Sequence, residues 1–301
     1  MGPAPMTIRD LGYRPYEGVR LSHSHNTWVM LRQGLTRAWG SWMVKIAVFL
    51  CLVPALLIAA VVAAQRVFMG DMGAAADAVN DEAIFVGVRT MRIVLTTQTW
   101  LFVSLVTAGA GSTAVAEDFT FKAFQFYFAK PVNPAQYFAG RVLAVAFFVF
   151  LVTFIPAMLV NLVLVGTAAP TVRMSDLGLV LPTLVHSLLL AGVMSTLSVA
   201  ISSLSASRAL TLSAWLFLFL VPHVLAAVVD GLASLNDGEG WPYLYLASFT
   251  GLLGVVADEL FKAQGDEPLL RWYYAMPVLI LYVAGASTLI LYRLRRAEVF
   301  G

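Results

Sequence analysis

The chain has 301 residues, of which 60% are apolar and only 12% charged, with a formal net charge of +2. A soluble globular protein carries about 25% charged residues, so a soluble domain is excluded. The near balance of charge leaves no basic patch for nucleic acid. The apolar residues fall into long blocks almost free of charge, and a helix needs about 20 such residues to cross a bilayer because hydrocarbon offers its backbone no partners. The expected fold class is therefore all-α integral membrane: six transmembrane helices, an N-terminal interfacial helix and a cytoplasmic coupling helix between spans 2 and 3.

Residues 1–43 form the leader. Its first part is polar, with Pro and Gly, and no cleavable signal peptide is expected because the first apolar block starts only at Val44. Within 26–42, Trp28, Leu31, Leu35, Ala38, Trp39 and Trp42 make one narrow helical stripe, with Arg37 opposite. Tryptophans favour the headgroup level, so this helix is expected to lie flat in the inner interface. His23 and His25 are two possible metal ligands on one strand; two are too few, and solvated residues are expected.

The transmembrane domain, 44–301, holds the spans, placed at 44–64, 93–116, 142–165, 177–204, 209–229 and 275–292. Segment 241–262 contains a shorter apolar stretch that ends at Asp258-Glu259. It reads as a helix on or dipping into the outer leaflet, with a seventh span as the competing reading. Charge decides between them. With six spans and the N-terminus inside, the inner segments hold 13 of the 19 basic residues and the outer segments 6, as the positive-inside rule requires. A seventh span would put Arg293, Arg295 and Arg296 outside. Both termini are thus expected in the cytoplasm of a cell whose inner membrane the chain crosses several times.

Chemistry is sparse. The sequence has neither a G-x-x-x-x-G-K-[ST] phosphate loop nor an H-E-x-x-H zinc motif. Within the spans no two carboxylates pair, and Ser287 has no His near it at the same depth. The single Cys51 reads as a small buried apolar residue. An enzyme is not expected, nor a bound metal or cofactor.

The connection 117–131 stands out. Glu117 and Asp118 open a helix at the end where the macrodipole favours acids, and Pro131 closes it. Phe121, Phe124 and Phe128 share one face; Phe119, Lys122, Phe126 and Lys130 lie broadly on the other. A helix aromatic on both faces needs something to cover each.

These residues carry a resemblance. The acidic pair, the run Phe126-Tyr127-Phe128-Ala129-Lys130-Pro131, then Tyr137 and Gly140-Arg141, resemble the connection after span two in permease subunits of type-2 ATP-binding-cassette (ABC) exporters. The leader run from Asp10 to Gly18 is similar to the cytoplasmic start of some of them. The resemblance implies a transmembrane permease working with a separate ABC ATPase, which binds the ATP, and paired in the bilayer with a second permease copy or a paralogue. Glu117, Asp118, Phe119, Lys122, Phe126, Lys130 and Pro131 would then couple to the ATPase. A membrane anchor that recruits such an ATPase for mechanical or assembly work is the alternative. Gln98, Asn161, His186 and His223 sit at membrane depth, where polar groups are costly unless they pair or face a cavity. They are the candidate translocation path. The Ser and Thr of the spans read instead as glue between helices.

Overall fold

The computed structural model describes residues 23–71, 76–124, 127, 132–168, 170–235, 242–262 and 270–300. It is helical, with no strand among the described residues. Six helices are long and apolar enough to cross a membrane: Trp42–Phe68, Val86–Thr120, Pro134–Thr167, Val172–Ser202, Arg208–Ala233 and Trp272–Arg296. The chain is a multi-pass membrane protein. Most of these helices overrun the expected apolar blocks, because backbone pairing continues after hydropathy ends; the fourth starts early but stops at Ser202, short of 204.

The leader helix His23–Gly40 does not stand alone. It packs on the start of the third span through Met30, Gly34 and Ala38, a stripe at helical spacing. A Cβ on Gly34 would lie 2.7 Å from the Cβ of Ala144, and one on Gly140 2.5 Å from that of Met30. Small residues thus let two backbones approach. The tryptophan stripe expected to be the anchoring face lies to one side of this contact: Trp28, Trp39 and Trp42 are exposed.

The first span breaks at Cys51 into Trp42–Leu50 and Leu52–Asp71. Pro54, which has no N–H to give to the preceding turn, accounts for the break. The second span is more irregular. It carries two π-helical turns, Thr99–Val103 and Thr107–Gly111. Along it Thr99, Thr107, Ser112 and Thr113 each donate to the carbonyl four residues back, a habit that bends membrane helices. The third span starts cleanly. Asn133 accepts from the backbone N–H of Ala135 and Gln136, Gln136 returns a bond to the Asn133 N–H, and Pro134 fills the first helical position.

Segment 241–262 is a short 3-10 turn, Pro242–Ala247, followed by the helix Phe249–Leu260. Its 12 residues reach about 18 Å, too short for a core about 30 Å thick. The helix is not spread on a surface. Phe249, Leu252 and Leu253 are buried, and it packs against the fourth, fifth and sixth spans. Trp215, Phe219 and Phe249 form one aromatic cluster at that contact, with Trp215 and Phe249 stacked at 5.7 Å.

Candidate functional site

Polar residues gather at opposite ends of the bundle in two unlike ways. The first gathering joins the leader helix, the end of the second span and the start of the third. Asp118 is almost fully buried and accepts from three side chains: the Tyr137 hydroxyl, Arg141 Nη2 at 2.6 Å and Arg37 Nη1 at 2.7 Å. Arg37 also grips Glu117, and Arg208 approaches the same carboxylate at 3.6 Å. Burial alone would pull the Arg37 guanidinium down, but Asp118 and Glu117 outweigh it and hold its pKa above the ordinary value. Arg141 lies 5.2 Å from the Tyr137 ring centre, and Gln33 donates to the Tyr127 hydroxyl at 3.0 Å. A buried ion group is tolerable only when its members satisfy one another; here both carboxylates are paired, while Arg141 Nε has no partner among the described residues.

This cluster corrects the reading of 117–131 as one helix. The helix is Ala116–Thr120. Turns follow through Phe121–Ala123, with Lys122 at φ 51°, in the left-handed region that interrupts a helix. The break redistributes the faces. Phe119 turns inward and meets Phe124 edge-on at 4.7 Å, Phe124 meets Tyr137 at 5.4 Å, and Arg293 lies 5.6 Å from the Phe119 ring centre. Phe121 instead points away, 74% exposed, beside exposed Lys122. Phe119 is thus half-buried against the core, and Phe121 does not pack against the spans as expected. Asp118, expected to couple outward, is sealed inside the subunit. Phe126, Phe128, Lys130 and Pro131 lie outside the described residues.

Ser202 completes this end. Its hydroxyl accepts from the backbone N–H of Val115 at 2.8 Å and of Ala116 at 2.9 Å, pinning the fourth span to the start of the terminal turn. Trp215 donates to the Thr107 hydroxyl at 3.1 Å, joining the fifth span to the second. These bonds are the glue expected of the span hydroxyls. Ser195 and Thr211 bond only within their own helices.

The four candidate path residues divide. Gln98 donates to the carbonyl of Cys51 at 3.0 Å, at the break in the first span, and Asn161 donates to the carbonyl of Asp176 at 2.9 Å. Both satisfy backbone and hold helices together. His186 and His223 come together in a cavity of about 490 Å³, which Arg92, Trp100, Tyr245 and Asp258 also line. Trp100 and His223 are 4.8 Å apart, and the Ser248 hydroxyl lies 3.3 Å from His223 Nδ1. Arg92 and Asp258 pair at 2.6 Å, both partly exposed. His186 is 4% exposed, and its Nδ1 has no partner among the described residues.

One further group was not foreseen. Arg66 and Asp176 form a buried pair at 2.6 Å, and Arg66 also donates to the Leu164 carbonyl at 2.7 Å. Nothing local links positions so far apart; only the closeness of Gly87, where a Cβ would sit 2.6 Å from Asp176 Oδ1, marks the fit. Among the described residues no three His, Cys, Asp or Glu gather as a metal site. No protein-family model matches the chain, and no curated protein matches it.

Proposed function

We propose that the chain is the transmembrane permease subunit of an ABC transporter, an exporter driven by a separate ATPase subunit and paired with a second permease copy or a paralogue. It is itself non-catalytic and binds no ATP. It lies in the inner membrane with both termini cytoplasmic, so that the Asp118 cluster faces the cytoplasm and the His186 cavity faces outward. The leader tryptophans rest at the inner headgroup level.

One observation carries this reading. Asp118, Tyr137 and Arg141, three of the residues behind the resemblance to type-2 ABC permeases, meet in a single contact, and Gly140 beside them packs on Met30 of the leader helix. That contact ties the leader helix to two spans, which makes the base a stiff block. Phe121 and Lys122 project from it as an exposed aromatic and a cation. A force applied there would move the second and third spans together, and the second span runs on to Trp100 and Arg92 in the cavity wall.

The test is co-purification from native membranes, scored as ATPase recovered per permease. Truncating an aromatic anchor at an interface costs about 2 kcal/mol or more. Phe121→Ala is therefore expected to release most of the ATPase at unchanged permease abundance, and Lys122→Glu to weaken its recovery in a salt-dependent way. Full ATPase recovery and turnover with both variants would remove this knuckle as the coupling element. Absence of any nucleotide-hydrolysing partner from the native complex would overturn the transporter reading itself.

A further inference from the structure

The cavity sets a buried polar atom without a partner beside open volume. In the other clusters each side chain has at least one polar contact: Asp118 accepts from three side chains, Arg66 grips Asp176, and Gln98 and Asn161 donate to carbonyls, although Gln98 Oε1 and Arg141 Nε keep no partner among the described residues. In the cavity the buried Nδ1 of His186 has none. A buried polar atom left without a partner costs about 1–3 kcal/mol, a cost a protein keeps when something fills the place part of the time. At about 490 Å³ the space falls in the range of small-molecule pockets.

The walls say what kind of molecule fits. On one side Trp100, His223 and Tyr245 form a row of rings, at 4.8 Å and then 6.1 Å. Ring faces attract an organic cation. On the rim Arg92 and Asp258 meet through one close contact at 2.6 Å, the Arg 39% and the Asp 27% exposed. A guanidinium has five N–H donors, so one such contact leaves Arg92 able to hold a second anion. Burial lifts the Asp258 carboxyl above the usual carboxylate range although Arg92 pulls it down, so a nearby cation would relieve it. Buried Leu190 and Leu253 back the cavity, and half-buried Val255 supplies apolar surface beside these groups.

We infer that this cavity is a binding site for a zwitterionic amphiphile of the phosphocholine or phosphoethanolamine kind. The phosphate oxygens bond Arg92, the ammonium group lies between Asp258 and the Trp100–Tyr245 rings, a polar atom of the head or linker bonds His186, and the apolar body lies along Val255. The site stands on the cavity alone. Its test uses the isolated chain, so its failure and a failure of the transporter reading are separate results.

The experiment is equilibrium binding to the full-length chain, purified in a neutral sugar detergent. Three amphiphiles of equal short chain length are compared: phosphocholine, phosphoglycerol and trimethylammonium. The expected result is saturable binding of the phosphocholine probe, at least about tenfold tighter than either singly charged analogue, the effect of losing one charge-assisted hydrogen bond. Asp258→Asn should abolish the preference over the anionic probe, Arg92→Gln the preference over the cationic one, and His186→Ala should weaken binding of all three. Gly254 lines the cavity and a side chain there meets nothing within 4 Å. Gly254→Trp should therefore block binding while leaving every charged group in place and the thermal midpoint unchanged. If free glycerophosphocholine also saturates the site, the head suffices and a soluble source is favoured; if only the acylated probe does, the source is the bilayer. Equal binding of the three heads, or phosphocholine binding that survives Gly254→Trp, would overturn the inference.

Discussion

The two ends of this bundle use the same kinds of residue to opposite effect. At the base, Arg37, Glu117, Asp118, Tyr137 and Arg141 bond one another beside a smaller cavity of about 310 Å³, with only Arg141 Nε left over among their buried polar atoms. At the other end Arg92, His186, His223 and Asp258 surround an open volume and leave valences unmet. The difference teaches that polarity at membrane depth does not by itself mark a path. A polar group that finds protein is a fastener. One that finds a void is a candidate for ligand.

The base should be the easier end to break. Arg141→Ala leaves buried Asp118 with only Arg37 and Tyr137, and removing one partner of a buried ion group costs up to about 3–5 kcal/mol. The expected outcome is a marked fall in the abundance of the chain and in its thermal midpoint in detergent; a midpoint within a degree or two of the parent would contradict the role given to the cluster. Close packing comes next. A Cβ on Gly111 would lie 2.1 Å from Ser198 Oγ, so Gly111→Ala should lose about 1–3 kcal/mol by overpacking, part of it returned by Ser198→Gly. No recovery in the double variant would show that the two spans do not meet there. Ser202→Ala frees two backbone N–H groups and should cost about 1–2 kcal/mol, as loss of a helix cap does, without touching any charge.

The cavity end should respond least in stability and with a distinctive sign. The folded chain holds the Asp258 proton more tightly than the unfolded chain, since burial raises its pKa. Its contribution is therefore greatest below the ordinary carboxylate pKa and is lost as pH rises through the raised value. Asp258→Asn, always neutral, should be slightly more stable than the parent at neutral pH, and the gap should close as the pH falls toward the ordinary carboxylate range. Thermal midpoints across pH measure this directly; a gap that widens in acid would contradict the burial argument.

Most of the scaffold is legible in the sequence because hydrophobic length is a one-dimensional property. The six apolar blocks become six helices, and 17 apolar residues before Asp258 are too few for a seventh. What needs three dimensions is not legible. Gln98 and His186 look alike as polar letters in a span, yet one meets the Cys51 carbonyl and the other a void. The faces of 117–131 follow from assuming continuous helix, and the left-handed Lys122 breaks that assumption, sending Phe119 inward and Phe121 outward. The pairing of Arg66 with Asp176 crosses 110 positions and has no local signal. The Met30, Gly34 and Ala38 stripe was available at helical spacing, but the tryptophans beside it are the louder pattern.

If nucleotide turnover at the base changes the His186 cavity, as proposed, the accessibility of the cavity wall follows the state of the ATPase. Gly254→Cys in a Cys51→Ala background places one thiol in the cavity wall, where the position has open space. Its labelling rate by a membrane-impermeant thiol reagent is followed in sealed vesicles of known orientation, with the partner ATPase either free or trapped by ATP and vanadate. Labelling from the outer face and a changed rate on trapping are expected. Labelling from the cytoplasmic face alone, or a rate indifferent to the state of the ATPase, would contradict the proposal.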